Sequence, residues 1–324
     1  MHALVGRLDH PERRYPAIHV VGTNGKSTAT RTIAALLRAE GRRAGAYTSP
    51  HVSGWSERIW VDGAEADFER AVARIRAAAE AVNATQFEAL TAAALGEFAE
   101  QGVDVAVIEA GLGGRLDATN VVDAGVVLLT NVSPEHTDVL GETLEEIARE
   151  KLAVAHAANV VVLPDNTYRD FVRDGAKIVT GDAHEAAEAF LGRPIHNRVA
   201  ADLSGRLERR GRELWDGAHN AAGTAWLRHH LDERFDVVVA SILQDKDAEA
   251  MLADLAELAP SLVATQSQNQ RSLPAEELGR LATAHFRHVT IESDAEQALS
   301  RARESTSGHI LVTGSLYLLA ELSA

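Results

Sequence analysis

The chain has 324 residues, enough for two domains with a core each, and its 47 acidic against 32 basic side chains give a formal charge of −15. That balance excludes bulk binding to nucleic acid or to an anionic membrane surface, and any anionic ligand has to be met by locally placed positive charge. Cysteine is absent, which excludes a disulfide framework, a thiol nucleophile and a cysteine metal site.

Residues 1–15 are polar with no apolar signal region, and no run approaches the length of a membrane span. The expectation is a soluble cytoplasmic protein. Apolar β-rich runs alternate with helical patterns from there onward. Strands are predicted at 17–21, 44–48, 103–109, 126–131 and 160–163, and helices with three- and four-residue apolar spacing at 26–40, 67–82, 87–100 and 144–156. Such alternation implies right-handed crossovers and a mainly parallel sheet covered on both faces.

A second series follows the polar stretch 193–204. A small hairpin is predicted from 206–208 and 213–215 across Arg210-Gly211, then strands at 237–242, 262–265, 289–291 and 310–313. Helices at 221–231, 248–258, 275–284 and 295–304 separate them. The fold class is therefore α/β: a P-loop-containing, mainly parallel sheet domain (1–199) followed by a smaller Rossmann-like α/β domain (200–324).

The most informative segment is Gly22-Thr23-Asn24-Gly25-Lys26-Ser27-Thr28, which joins the first strand to the first long helix. A triphosphate site needs this order. Glycines let backbone N–H groups close on phosphate oxygens, Lys26 supplies positive charge, and a hydroxyl from Ser27 or Thr28 reaches a Mg²⁺ ion. The glycines are closer together than in the generic phosphate loop. A fortuitous glycine turn is the bland alternative, and the strand-to-helix context weighs against it. Only four lysines occur, at 26, 151, 177 and 246. In a chain that defaults to arginine, a retained lysine hints at chemistry a guanidinium cannot perform.

Other strand ends carry polar loops. Glu109 ends the strand at 103–109 and is a plausible Mg²⁺ ligand, with turn stabilisation as the alternative. Arg115, Asp117, Thr119 and Asn120 follow in a loop too rich in hydrogen-bonding groups for a linker. His136 lies past the next strand end, suited to metal or phosphate, with a solvated or hydrogen-bonded bystander as the alternative. Lys151, by itself, reads only as a charged helix residue. In the second domain Asp216, His219 and Asn220 fall at a strand–helix junction and suit phosphate contact, with helix capping by Asn220 as the alternative. Asp245-Lys246-Asp247, Arg271 and Thr313-Gly314-Ser315 occupy comparable edges, and the expectation is a cleft between domains.

Several of these segments together resemble one family: His19-Val20-Val21-Gly22-Thr23-Asn24-Gly25-Lys26; Thr48-Ser49-Pro50-His51 with Arg58; the run Glu109-Ala110-Gly111-Leu112-Gly113-Gly114-Arg115-Leu116-Asp117-Ala118-Thr119-Asn120; His136 and Glu150-Lys151; Asp216-Gly217-Ala218-His219-Asn220; and Thr313-Gly314-Ser315. The chain resembles the folylpolyglutamate synthases and dihydrofolate synthases, within the wider group of Mur-type ATP-dependent amide ligases. The resemblance implies transfer of the γ-phosphoryl of ATP to a pteroate or folate carboxylate, then attack by the amine of L-glutamate on the acyl phosphate. It assigns Mg²⁺ to the loop hydroxyl (Ser27 or Thr28), Glu109 and His136, and it implies that Lys151 is carbamylated and helps hold a second Mg²⁺. Lys26, His136 and Lys151 are then the catalytic set. Gly22, Thr23, Asn24, Gly25, Lys26, Ser27 and Thr28 bind nucleotide together with Asp216, His219, Asn220 and, more weakly, Arg206 and Arg271. Thr48, Ser49, Pro50, His51 and Arg58 border the pterin side, with Arg115 and Asp117 also on the substrate. A monomer fits the family.

The chain departs from the family pattern at Ser27, where glycine is usual, at Ala221, where proline is usual, and at Glu135, where aspartate is usual. It is also short at its front end and between 163 and 206. A muramyl-type ligase is disfavoured because sixteen residues before the first strand leave no room for a UDP-sugar domain. A nucleotide-binding partner protein without ligase activity is the reading from a different class. Joint retention of Lys26, Glu109, His136, Lys151 and Asp216 argues against it.

Overall fold

A computed structural model describes residues 1–199, 201 and 203–323. The domain boundary expected between 199 and 200 falls at residue 200, outside the described residues. The chain divides into two compact units, Met1–His51 with Trp55–Ala201, and Val52–Gly54 with Asp202–Ala324.

The first unit carries eight strands: β1 (Ala17–Val21), β2 (Ala44–Tyr47), β3 (Ile59–Val61), β4 (Ala64–Glu65), β5 (Val105–Glu109), β6 (Val126–Leu129), β7 (Val160–Leu163) and β8 (Lys177–Thr180). They form one sheet in the order β4-β3-β2-β5-β1-β6-β7-β8. All neighbours run parallel except the β2–β3 and β3–β4 pairs at one edge. Its helices are α1 (His2–Arg7), α2 (Lys26–Ala39), α3 (Phe68–Ala81), α4 (Gln86–Gln101), α5 (Thr137–Leu140), α6 (Leu144–Leu152) and α7 (Ala183–Leu191).

β1 and β5 sit at the middle of this sheet and are buried along their whole length, as continuous apolar runs require. Alternate residues feed opposite faces. Ala17 and Val21 join a core with Leu95, Phe98 and Ile108, while Ile18 and Val20 join one with Ile33, Leu36 and Val107. Helix starts are set locally: Thr85 with Glu88 and Thr143 with Glu146 form capping boxes for α4 and α6.

The second unit contains β9 (Glu208–Arg210), β10 (Glu213–Trp215), β11 (Val237–Ala240), β12 (Ser261–Ala264), β13 (His288–Ile291) and β14 (Ile310–Thr313), ordered β13-β12-β11-β14-β10-β9. Only β9–β10 is antiparallel. Helices α8 (Ala221–His230), α9 (Ala248–Ala256), α10 (Ala275–Ala282), α11 (Ala295–Ser305) and α12 (Leu316–Ser323) cover the sheet. Among the described residues no helix is long and apolar enough to cross a membrane.

β1, β7, β10 and β14 match their predicted spans, and the other predicted strands differ from theirs by one or two residues. The helix predicted over 144–156 ends at Leu152 and continues as a 3-10 turn, Ala153–Ala157, because Ala155 leaves helical geometry at φ −81° and ψ 18°. The hairpin strand expected at 206–208 begins only at Glu208, since Gly205 and Leu207 hold left-handed φ values of 65° and 48°. The strands β3, β4 and β8 and the helices α1, α5, α7 and α12 have no counterpart in the sequence-based elements. Most are short, and β8 is half-exposed, so their apolar pattern is weak.

Candidate active site

The phosphate loop is held from both sides. Gly22 has φ 148°, and a Cβ there would lie 1.9 Å from Thr130 Oγ1, so only glycine lets β1 pass this close to the end of β6. Thr23 N–H donates to the Asn131 carbonyl at 3.1 Å and Asn24 N–H to Asn131 Oδ1 at 2.9 Å. Asn131 Nδ2 returns a bond to the Asn24 carbonyl at 3.1 Å, and Thr130 Oγ1 donates to the same oxygen at 2.7 Å. Gly25, at φ 77°, turns the chain into α2.

Lys26 Nζ donates to its own loop, at the Thr23 carbonyl (2.9 Å). Ser27 is buried and its Oγ donates to Glu109 Oε1 at 3.0 Å, whereas Thr28 is exposed on α2. Glu109, 1 % exposed at the end of β5, accepts at Oε2 from Ser49 N–H at 3.0 Å. The structure therefore joins a phosphate-loop hydroxyl, a strand-end carboxylate and the Thr48–His51 loop into one cluster.

Lys151 reaches the same loop from α6. It is 2 % exposed, and its Nζ donates to the Gly22 carbonyl at 2.8 Å. Burial lowers its pKa, nearby Lys26 lowers it further, and Glu135 and Asp117 offset this only in part, leaving it at about 8. A lysine that sequence alone reads as a charged helix residue is thus a buried amine whose neutral form is favoured by burial. His136 occupies the left-handed position before α5 (φ 50°), with its side chain 36 % exposed.

The loop after β5 packs onto the end of α6. A Cβ on Gly114 would lie 2.6 Å from the carbonyl oxygens of both Glu150 and Lys151, so glycine is required there by the close approach. Arg115 N–H donates to the Glu150 carbonyl at 3.1 Å and its Nε to Glu150 Oε2 at 2.9 Å. Asp117 folds back on its own segment, accepting from Leu112 N–H at 2.7 Å and from Thr119 N–H at 2.9 Å.

In the Thr48–Arg58 segment, Thr48 N–H donates to the Arg58 carbonyl at 3.0 Å, and Arg58 Nε donates to His51 Nδ1 at 2.8 Å. Burial lowers the His51 pKa and Arg58 lowers it further, in keeping with a ring nitrogen that accepts. The Ser49–Pro50 bond is cis.

In the second unit, Asp216 is buried and accepts from Leu207 N–H and Ala218 N–H, both at 2.9 Å; burial raises its pKa. His219 Nδ1 contacts the Gly217 carbonyl at 2.8 Å, and Asn220 Oδ1 caps α8 through Gly223 N–H at 2.8 Å. The capping role considered for Asn220 is present. Arg206 Nη1 donates to the Gly205 carbonyl at 3.0 Å, and Arg271 Nη2 to Tyr317 Oη at 3.4 Å.

Sequence reasoning missed two groups. Thr130 and Asn131, which frame the phosphate loop, were signalled only by their place at a strand end. His19, buried in the middle of β1, entered only as the first residue of the segment that carries the resemblance and was given no role.

A phosphate loop with a buried hydroxyl–carboxylate pair and a buried lysine, on a parallel sheet followed by a smaller α/β unit, defines a nucleotide-dependent ligase of the Mur type. Residues 20–197 match the Mur ligase middle domain, and residues 200–324 match the dihydrofolate synthetase C-terminal domain. The dihydrofolate synthase/folylpolyglutamate synthase of Mycobacterium tuberculosis is 32 % identical over 88 % of this chain and 77 % of its own length. The solved folylpolyglutamate synthase of Mycobacterium tuberculosis, complexed with ADP and AMPPCP, superposes with a TM-score of 0.90 at 30 % identity, covering 99 % of this chain and 93 % of its own. The bifunctional folylpolyglutamate synthase/dihydrofolate synthase of Yersinia pestis, complexed with AMPPNP and a Mn ion, gives 0.86 at 29 % identity over 98 % and 90 %. The chain belongs to the folylpolyglutamate synthase/dihydrofolate synthase family.

Proposed function

We propose that this chain is an ATP-dependent amide ligase that joins L-glutamate to the carboxylate of a pteroate or folate through an acyl phosphate. The match of residues 200–324 to a dihydrofolate synthetase domain carries the substrate class. The phosphate loop carries the chemistry. Backbone N–H groups at the α2 N-terminus cradle the triphosphate, beside the Thr23 and Asn24 N–H groups that Asn131 holds, and Lys26, which rests on the Thr23 carbonyl, moves onto phosphate oxygen when nucleotide arrives. Cations around the transferring phosphoryl group are worth most where water is excluded.

Mg²⁺ is the metal the donor set favours. Ser27 Oγ and the Glu109 carboxylate are hard oxygen donors 3.0 Å apart. Among the described residues no three His, Asp or Glu side chains gather to hold an ion unaided. That suits a cation that completes its shell with phosphate oxygens and water. Bound there, the ion neutralises triphosphate charge. His136 is a further ligand on the family pattern.

Lys151 is carbamylated in the working enzyme. Its buried neutral amine adds to carbon dioxide: the N–C bond forms, one C=O π bond opens, and a proton leaves to solvent. The product is an anion beside Gly22, able to hold a second cation. Asp216, His219, Asn220 and Arg206 serve nucleotide or phosphate, and the Thr48–His51 loop, Arg58, Arg115 and Asp117 border the folate-type substrate. The net charge of −15 supports small-molecule partners, with neither nucleic acid nor an anionic membrane as a surface ligand. A cytoplasmic monomer of domains 1–199 and 200–324 is the matching reading.

Incubation with Mg·ATP, L-glutamate and either dihydropteroate or tetrahydrofolate tests the assignment. The expected result is glutamate-dependent ADP release and a product heavier by one glutamyl unit. Nucleotide binding without turnover on either acceptor would overturn it in favour of a binding protein.

A further inference from the structure

His19 stands at the centre of β1, fully buried, on the face where Ala17 and Val21 are part of an apolar core. Burying an imidazole here is costly unless its polar atoms are used. Its Nε2 lies 2.8 Å from Thr119 Oγ1, and Thr119, also fully buried, lies 2.5 Å from Asp117 Oδ1. The donor inventory fixes the direction of this chain. The Asp117 carboxylate only accepts, so the single Thr119 hydroxyl proton goes to Asp117, and Thr119 Oγ1 must itself accept from His19. His19 is therefore the Nε2–H tautomer, and its Nδ1, buried with no partner among the described residues, carries the lone pair. The line ends at the glycine loop, where Asp117 Oδ2 accepts from Leu112 N–H at 2.7 Å.

We propose that His19 is a positioning residue: from the strand that carries the phosphate loop, it orients Thr119 and through it Asp117, which holds residues 111–117 in the conformation that receives the folate-type acceptor. Three residues beyond His19, the same strand delivers Gly22, whose carbonyl Lys151 contacts. The acceptor loop and the phosphate loop are thus referenced to one buried strand. The inference rests on the reading that residues 111–120 border the acceptor.

The test uses the full chain and the variants His19→Leu, His19→Gln and Thr119→Val. Glutamine places an amide N–H near the Nε2 position; leucine and valine remove the donor and the relay hydroxyl. Hydrogen exchange is read on peptides covering 111–120 and 22–28, with steady-state KM for dihydropteroate and for ATP. Exchange of 111–120 is expected to rise about tenfold in His19→Leu and Thr119→Val, with 22–28 unchanged, for the loss of about one buried hydrogen bond. The acceptor KM should rise about tenfold in both while the ATP KM stays within about twofold, and His19→Gln should recover most of the loss. The double variant should be no worse than the poorer single one. Wild-type exchange and acceptor KM in Thr119→Val, a parallel rise in ATP KM, or no recovery in His19→Gln would overturn the proposal. Thr119→Val carries the test should His19→Leu not fold. Absence of acceptor turnover in the wild type would overturn the functional reading instead, and the exchange pattern alone then decides the relay.

Discussion

The Lys151 amine donates to the Gly22 carbonyl at 2.8 Å across 129 positions of sequence. The same residue's backbone carbonyl is approached by Gly114, where even a methyl group would come within 2.6 Å. One turn of α6 is therefore clamped between the phosphate loop and the loop that follows β5, and the lysine is held against the phosphate loop.

Replacement of Lys151 by alanine is expected to lower turnover by about a hundredfold or more, as loss of a preorganised charge in a dry site does. Nucleotide affinity, followed by equilibrium dialysis, should change far less. Wild-type enzyme stripped of bicarbonate should lose activity and regain it when bicarbonate returns. A fully active alanine variant would remove the carbamate from the mechanism.

Ser27 and Thr28 separate cleanly. Ser27 is buried against Glu109, and Thr28 points outward from α2. Ser27→Ala removes a charge-assisted bond and a hard oxygen donor, so turnover should fall about tenfold to a hundredfold and the Mg²⁺ concentration needed for half-maximal rate should rise. Thr28→Ala should stay within about twofold of wild type. Metal titration of both variants checks this, and the reverse ranking would assign the metal to Thr28.

The fold class and the phosphate loop were readable because β1 and β5 are apolar apart from His19 and Glu109, and Gly22–Lys26 follows one of them directly. Glu109 and Asn131 could be suspected from their places at strand ends. Lys151 could not be read this way. Its neighbours on α6, Glu145, Glu146, Arg149 and Glu150, are charged, and the partner of its buried amine, the Gly22 carbonyl, lies 129 positions earlier in the chain. Resemblance to a family named it, and the packing of Gly114 and Gly22 gives the physical reason. Asp216 and Asn220 were legible as a polar cluster, but their bonds to Ala218 and Gly223 N–H groups are local turn and cap contacts that the sequence pattern does not distinguish from ligand binding.

Gly114→Ala tests the clamp directly. The added methyl meets backbone oxygens, which cannot swing aside as a side chain would. A loss of about 1–3 kcal/mol in folding stability is expected from such overpacking, read as a lower urea midpoint at unchanged slope. Gly125→Ala is the control: its Cβ would meet nothing within 4 Å among the described residues. Equal midpoints in the two variants would refute the close approach.

Glu97 on α4 gives a pH-dependent prediction remote from the site. Its side chain is 1 % exposed and accepts from Arg70 at 2.8 Å and Arg74 at 2.7 Å on α3. Burial pushes its pKa up, but bonds from Arg74, Gln101 and Arg70 more than reverse this, leaving it below the ordinary value of 4.5. A carboxylate depressed on folding contributes stability that is fully present above the unfolded value, and that is lost as pH falls through the folded value. Glu97→Gln should therefore cost about 1.5–3 kcal/mol at pH 7, the range for hydrogen bonds to a charged group. The gap between wild type and variant should stay constant down to pH ~4.5 and narrow below it, because only the wild type loses a charge there. Urea denaturation from pH 7 to pH 3 measures both curves. A gap that widens on acidification would mean that Glu97 is already protonated in the folded chain, and that its two arginines are held by something else.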